Sequence, residues 1–309
     1  MAIVAVTAFL AAAVRMAIPL TLAGLGETVS ERSGVINIGL EAIMLCGAYF
    51  GFAAVFATGS PALGILAGIA GGVTVSAIHG IVCLKCRANQ TIAGLALNFL
   101  ALGATNFLFL KSFGKTTALP SIPTVKSISI PLFSRIPVIG QVFFQMDVFG
   151  YAAAVAVVLL CILFYKTEWG VSLLATGEHP RAADTAGLPV ERIRFLACIV
   201  NGVLGGMGGA YLTVSRLGFF AENVTAGRGY IALVTVILGR RNPLGVFLAA
   251  LALGSAEALQ FRLQTAGMNI PSQVFSMFPY VITVAVLLFS IGRDNTPAAL
   301  GIPYEREKE

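Results

Sequence analysis

The side chains able to do chemistry in this chain are sparse and poorly assembled for catalysis. His79 and His179 are the two histidines. They lie far apart, and neither sits in H-E-x-x-H; no G-x-S-x-G nucleophile turn occurs either. Cys83 and Cys86 form a C-x-x-C, but Lys85 and Arg87 beside them mark the end of an apolar run. No second pair or histidine cluster completes a zinc site. The cysteine count of 5 is odd and frames no disulfide scaffold, so helix packing is their expected use. Gly114-Lys115-Thr116 imitates the end of a phosphate-binding loop, yet Phe109 stands where its first glycine is needed. Asn89-Gln90-Thr91 and Asn223-Val224-Thr225 match the glycosylation pattern by chance. No catalytic group, metal or cofactor is expected. More informative are the polar residues inside apolar runs: Asn98, Asn106, Glu257 and Gln260. Such residues mark solute or ion paths. For Glu257 and Gln260, near Arg262, snorkelling to the interface is an equal reading.

The elements that carry these residues belong in a membrane. Of 309 residues 57% are hydrophobic and 11% charged, and the mean hydropathy is +0.89. A soluble domain carries about 25% charged residues, so the surplus apolar surface must meet lipid. The net charge of +6 comes from basic residues scattered singly. No basic, aromatic-interleaved stripe exists to track nucleic acid, and the charges read as loop and interface residues beside membrane lipid.

A helix needs about 20 apolar residues to cross ~30 Å of hydrocarbon. Candidate runs are Ala2–Leu25, Ala42–Leu84 (divided by Thr58-Gly59-Ser60-Pro61), Ala88–Leu110, Val148–Tyr165, Phe195–Ser215, Gly229–Gly239, Pro243–Leu259 and Val274–Gly292. The expectation is an all-α, polytopic transmembrane bundle of about eight to ten spans, some broken or re-entrant. It forms one transmembrane domain over residues 1–309 with no soluble domain attached. Lys166, Arg181, Arg192 and Arg194 place the 166–194 loop in the cytoplasm, together with Lys85, Arg87, Arg240, Arg241 and the tail from Arg293. Residues 111–147 then lie outside, although Lys111, Lys115, Lys126 and Arg135 work against that assignment. The first span has its N-terminal end outside if 26–39 is a cytoplasmic loop, and inside if that segment re-enters the membrane.

Certain segments do not read as simple loops. In residues 26–41, charges and amides alternate with Val, Ile and Leu, and Gly34 and Gly39 permit a break. Either this is broken helix lining a cavity, with Asn37 and Glu41 on one face, or a surface loop at the headgroups. Residues 226–245 hold an apolar run too short to span alone, bounded by Gly227, Gly229, Gly239 and Pro243. Short interrupted segments of this kind point to a solute path. In residues 176–189, Pro180 suits the first position of a helix that Gly187 and Pro189 stop. Such a short helix must dock on something, either a cytoplasmic ATPase or this chain's own span ends. Gly202/Gly206 and Gly205/Gly209 form small-xxx-small faces for close helix crossing.

These segments, GETVSERSGVINIGLEAIML (26–45), TGEHPRAADTAGLPVERIR (176–194), GGMGGAYLTVSRLGFF (205–220) and AGRGYIALVTVILGRRNPLG (226–245), resemble the permease subunits of bacterial ABC importers. The group is the one for ribose, galactose and branched-chain amino acids, and the likeness is to its nucleoside branch, which works with a purine-nucleoside-binding lipoprotein. Ala42 departs from an expected Gly, and Arg241 from a common aromatic residue. The resemblance implies import of nucleosides or related sugar-containing solutes across a bacterial cytoplasmic (inner) membrane. It implies as partners a cytoplasmic ABC ATPase subunit, a second homologous permease subunit and an extracytoplasmic solute-binding lipoprotein, with no enzyme activity in this chain. Residues 177–187 would couple to the ATPase through Gly177, Glu178, Arg181, Ala182, Asp184 and Gly187. Asn37, Glu41, Asn98, Asn106, Gly227 and Gly229 are the expected solute-path residues. A free-monosaccharide permease of the same group and a stand-alone gradient-driven carrier, with Glu257 as its ion site, are the alternatives.

Overall fold

The structure is a computed structural model that describes residues 2–114, 119–131, 134, 136–265, 274–275, 277–289 and 295–305. Lys115, Thr116, Arg135, Arg293 and the 290–292 end of the last expected span lie outside the described residues. Among the described residues seven helices are long and apolar enough to cross a membrane, and the chain is a multi-pass helical membrane protein.

Helix α1, Ala2–Arg32, is 31 residues long and runs past the expected end at Leu25. It does so because the polar residues of its last turns find buried partners instead of water. The break comes at Gly34, whose φ of +96° a side chain would resist. There Gly34 N donates to Glu31 O and Val35 N to Ser30 O, closing the helix in the manner of a left-handed cap. The Ser30 hydroxyl donates to Val35 O at 2.8 Å, so the polar letters of this stretch are its fastening.

Helix α2, Leu40–Thr58, is enclosed by its neighbours. The turn at Gly59 leads into α3, Pro61–Leu84, with proline in the first turn. Gly206 lies over Gly72 of α3, Gly209 over Met44 of α2, and Gly208 over Pro19 of α1. The glycine-rich run therefore presents separate small faces to separate helices, as its spacing foretells. Helix α4, Gln90–Phe113, starts at Asn89, whose side chain accepts from Ile92 N.

Residues 114–147 hold a short antiparallel pair, β1 (Ile128–Ser129) with β2 (Gln145–Met146), and helix α5 (Ile139–Phe143). Asp147 then caps α6, Val148–Lys166. Helices α7 (Glu168–Glu178) and α8 (Pro180–Thr185) form the expected loop. Helix α9, Val190–Ala210, ends in a π-helical turn, Tyr211–Leu217. After it come α10 (Arg228–Leu238), α11 (Pro243–Thr265) and α12 (Phe278–Phe289).

The two ends of the bundle are defined by contacts. At one end Arg32 Nε donates to Arg241 O, Gly301 N to Gly34 O, and Arg87 pairs with Glu305 at 3.5 Å. That end thus gathers Arg87, Arg241 and the tail, with α7 and α8 beside them. At the other end Ile122 N donates to Gly218 O, and Arg262 reaches Ala5 O. Helix α1 therefore crosses once, with Ala5 opposite the basic end. Residues 218–227 descend beside α2, with Phe220 stacked near Tyr49 and Phe52. Helix α10 completes that crossing, so the short run is half of a discontinuous span.

Candidate functional site

Carboxylates within the bundle organise the break between α1 and α2. Glu27 Oε1 accepts from Asn37 N at 2.7 Å and Oε2 from Asn201 Nδ2 at 2.6 Å. Glu31 Oε2 meets Arg241 Nε at 2.5 Å, with both side chains buried. Asn37 Oδ1 accepts from Gly39 N, while its buried Nδ2 has no hydrogen-bond partner among the described residues. Because α2 begins only at Leu40, Asn37 lies outside it and does not share a helical face with Glu41. Residues 26–41 are largely buried within the bundle rather than spread on a surface, and their break at Gly34 lies at the end where Arg32 meets Arg241 and Gly34 meets the tail.

Glu41 holds the start of α10. Its Oε1 accepts from the Thr225 hydroxyl (2.5 Å) and Gly227 N (2.9 Å), and its Oε2 from Gly229 N (2.6 Å). A carboxylate at the exposed amides of a helix N-terminus is favoured by both hydrogen bonding and the helix dipole. Gly227 has φ +81°, and a Cβ on Gly229 would lie 2.5 Å from Glu41 Cα. The close approach requires glycine at 229, and the left-handed backbone favours it at 227.

Asn98 of α4 ties the same place together. Its Oδ1 accepts from Ala42 N, and its Nδ2 donates to Ile38 O and to the Tyr230 hydroxyl. Thus Glu41, Asn98, Gly227 and Gly229 converge, whereas Asn37 and Asn106 do not join them. Asn106, farther along α4, donates instead to Glu222 Oε1 at 2.9 Å, on an exposed face. Glu257 is engaged by Arg228 in a close ion pair. Among the described residues no cluster of His, Cys, Asp or Glu could hold a metal ion.

At the basic end, α8 presents Arg181 and Ala182 outward, with Ala183 buried beneath. Gly187 is exposed at φ +87° and ends the element. The C-terminal segment lies against it. Ala298 N donates to Glu178 Oε2, Ala299 N to Gly177 O, and the Tyr304 hydroxyl to Asp184 Oδ2. A groove of 580 Å³ opens between α8 and this segment, with Arg181, Ala182, Ile302 and Tyr304 on its walls. Arg194, counted from sequence as a loop charge, is fully buried. It donates to Thr176 O and Ile302 O, joining the end of α7 to the tail. The carbonyl end of a helix suits a cation.

Sequence reasoning missed Glu222, Thr225, Tyr230 and the tail. Thr225 and Tyr230 flank quoted glycines and so carried a weak signal. Glu222 carried one too, as a lone acid in an apolar region.

The chain and its fold have counterparts. Over 91% of this chain and 85% of the other, the fold matches a solved structure titled as an inward-facing conformation of a putative metal-chelate type ABC transporter, with TM-score 0.53 and 15% identity. The chain is 38% identical to the guanosine ABC transporter permease protein NupQ of Bacillus subtilis (strain 168), over 94% of each chain. It is 36% identical to the nucleoside ABC transporter permease protein NupC of Lactococcus lactis subsp. cremoris (strain MG1363), again over 94% of each. It is 34% identical to the putative glucose ABC transporter permease protein TsgC13 of Haloferax volcanii, over 96% of this chain and 97% of that one. Residues 9–287 match the family described as branched-chain amino acid transport system / permease component. This multi-pass chain, with its discontinuous crossing, belongs to that family of transport permeases.

Proposed function

We propose that the chain is the membrane-spanning permease subunit of an importer that carries nucleosides into the cytoplasm. The work comes from ATP hydrolysed on a partner subunit. The observation that carries the solute class is the 38% identity to a guanosine permease, sustained over 94% of both chains. In this reading residues 1–309 are one permease domain in a bacterial inner membrane. The end carrying Arg87, Arg181 and Arg241 faces the cytoplasm, as basic loops do, and residues 111–147 face out.

Helix α8 with its flanks is the coupling element, and Arg181 and Ala182 are its outward contacts with the ATPase. Glu178, Asp184 and Gly177 fix its seat through the C-terminal segment, and Gly187 ends it. Asn106 and the α10 start line the solute path. Glu41, Asn98, Gly227 and Gly229 set the position of that start, and Asn37 fastens the adjoining break. A second, homologous permease subunit and an external solute-binding lipoprotein complete the assembly. Likeness to the Haloferax permease, described as one for glucose, supports a free monosaccharide as the second reading.

Competition separates the two. Guanosine uptake by cells expressing the assembly should fall with excess adenosine and stay unchanged with ribose or glucose. Inhibition by the free sugars alone would replace the nucleoside with a monosaccharide. A crosslink from an Ala182→Cys variant should capture the ATPase subunit; failure to capture it in an active assembly would remove α8 from the coupling role.

A further inference from the structure

Glu222 presents an exposed carboxylate within a membrane-spanning bundle. Its partner Asn106 lies on α4 seven residues before the helix ends at Phe113, or ~10 Å along the axis. Phe113 itself packs on Phe56 of α2 near the outer end. A charged group at that depth is too costly to leave against hydrocarbon and belongs in a water-filled path or cavity.

The pair is only half satisfied. Asn106 Nδ2 donates to Glu222 Oε1. Glu222 Oε2 and Asn106 Oδ1 take no other hydrogen bond among the described residues. The two remaining acceptor oxygens of this hydrogen-bonded pair can take two donors, which hydroxyls on neighbouring carbons supply. Tyr230, which is 42% exposed, lies at the level of Asn98. Its hydroxyl is held by Asn98 Nδ2 at 2.9 Å, so the ring is fixed rather than free to swing. Asn98 and Asn106 are eight residues apart on α4, ~12 Å along the axis, a separation comparable to the long dimension of a nucleoside.

We propose that Glu222 and Asn106 bind the adjacent hydroxyls of a ribosyl solute while Tyr230 stacks against its base. This site rests on the reading of the chain as a nucleoside importer and deepens it. Carboxylate and amide acceptors reject an analogue that lacks the hydroxyls, because its binding would leave them unpaired. Tyr230 contributes a face that accepts any base, so selection falls on the sugar.

The test uses the complete assembly in liposomes with ATP and saturating binding lipoprotein. Uptake of guanosine is compared with that of 2′,3′-dideoxyguanosine for the wild type, Glu222→Gln and Asn106→Ala. The expected result is a fall of about tenfold or more for guanosine in both variants, with the dideoxy analogue unchanged, so that discrimination collapses. Equal effects on both solutes, or no effect, overturn the site. Wild-type uptake that is independent of ATP overturns the importer reading instead. ATP-driven uptake that ignores guanosine removes the solute class and this site with it.

A labelling experiment does not depend on transport. In right-side-out vesicles, Asn106→Cys should react with a membrane-impermeant maleimide, because the position faces water. An unreactive thiol contradicts the proposal.

Discussion

The Glu41 carboxylate accepts the amide of Gly229 at 2.6 Å across a sequence separation of 188 residues. This bond joins the start of α2 to the start of the half-helix α10. It places a charge-assisted hydrogen bond where the membrane crossing is discontinuous, so the geometry of the break depends on it.

Replacing Glu41 with Ala leaves Gly229 N, Gly227 N and the Thr225 hydroxyl without their acceptor. Hydrogen bonds to charged groups contribute about 1.5–3 kcal/mol each. The expected cost is about 3 kcal/mol or more, read as a lowered Tm in detergent together with lost uptake. An unchanged Tm contradicts the anchoring role.

Glycines of the bundle should separate into two behaviours. Gly229→Ala forces a Cβ against Glu41 Cα and N, at 2.5 Å from each, and should destabilise by about 1–3 kcal/mol. Gly103, inside α4, has open space where its Cβ would stand. Gly103→Ala should stabilise by about 0.5–1 kcal/mol through helix propensity. Thermal unfolding of the two variants side by side checks this, and a matching loss in both would contradict it.

The Glu31–Arg241 pair is buried on both sides. Arg241→Ala strands a buried carboxylate, at an expected cost of about 3–5 kcal/mol. The double variant Glu31→Leu/Arg241→Met removes both charges and should recover most of that loss. A double variant as unstable as the single one would mean that the pair is not the source of the penalty.

Much of the bundle was legible in the sequence because lipid imposes a length on each apolar run. The turn at Gly59, the helix starting at Pro180 and the glycine faces of α9 all follow from local chemistry. What was illegible is long-range pairing. Glu27, Ser30 and Glu31 look like the polar letters of a loop until Asn201, Val35 and Arg241 are set beside them. Helix α1 therefore continues to Arg32 where the apolar run alone ends at Leu25. Arg194 misled in the same way, because no local pattern reveals that the carbonyls of Thr176 and Ile302 will receive it. Of the residues expected along the solute path, Glu41, Asn98, Gly227 and Gly229 are brought together, while Asn106 finds a partner in Glu222 that spacing does not foretell.

The C-terminal segment should matter for coupling rather than for insertion. Truncation after Asn295 removes the contacts of Ala299 with Gly177 and of Tyr304 with Asp184. Coupling free energies of 1–3 kcal/mol correspond to about 5–150-fold. Solute-stimulated ATP hydrolysis by the truncated assembly should fall within that range, with the amount of membrane-inserted chain unchanged. Full stimulation after truncation contradicts the role assigned to the segment.

The central claim is that this permease concentrates solute only with power from a partner. The direct measurement is accumulation of radiolabelled guanosine in liposomes, with the full assembly and with this chain alone, under ATP or under a proton gradient. The account predicts accumulation only in the full assembly supplied with ATP. Concentration of guanosine by the isolated chain under the proton gradient, without nucleotide, would contradict it.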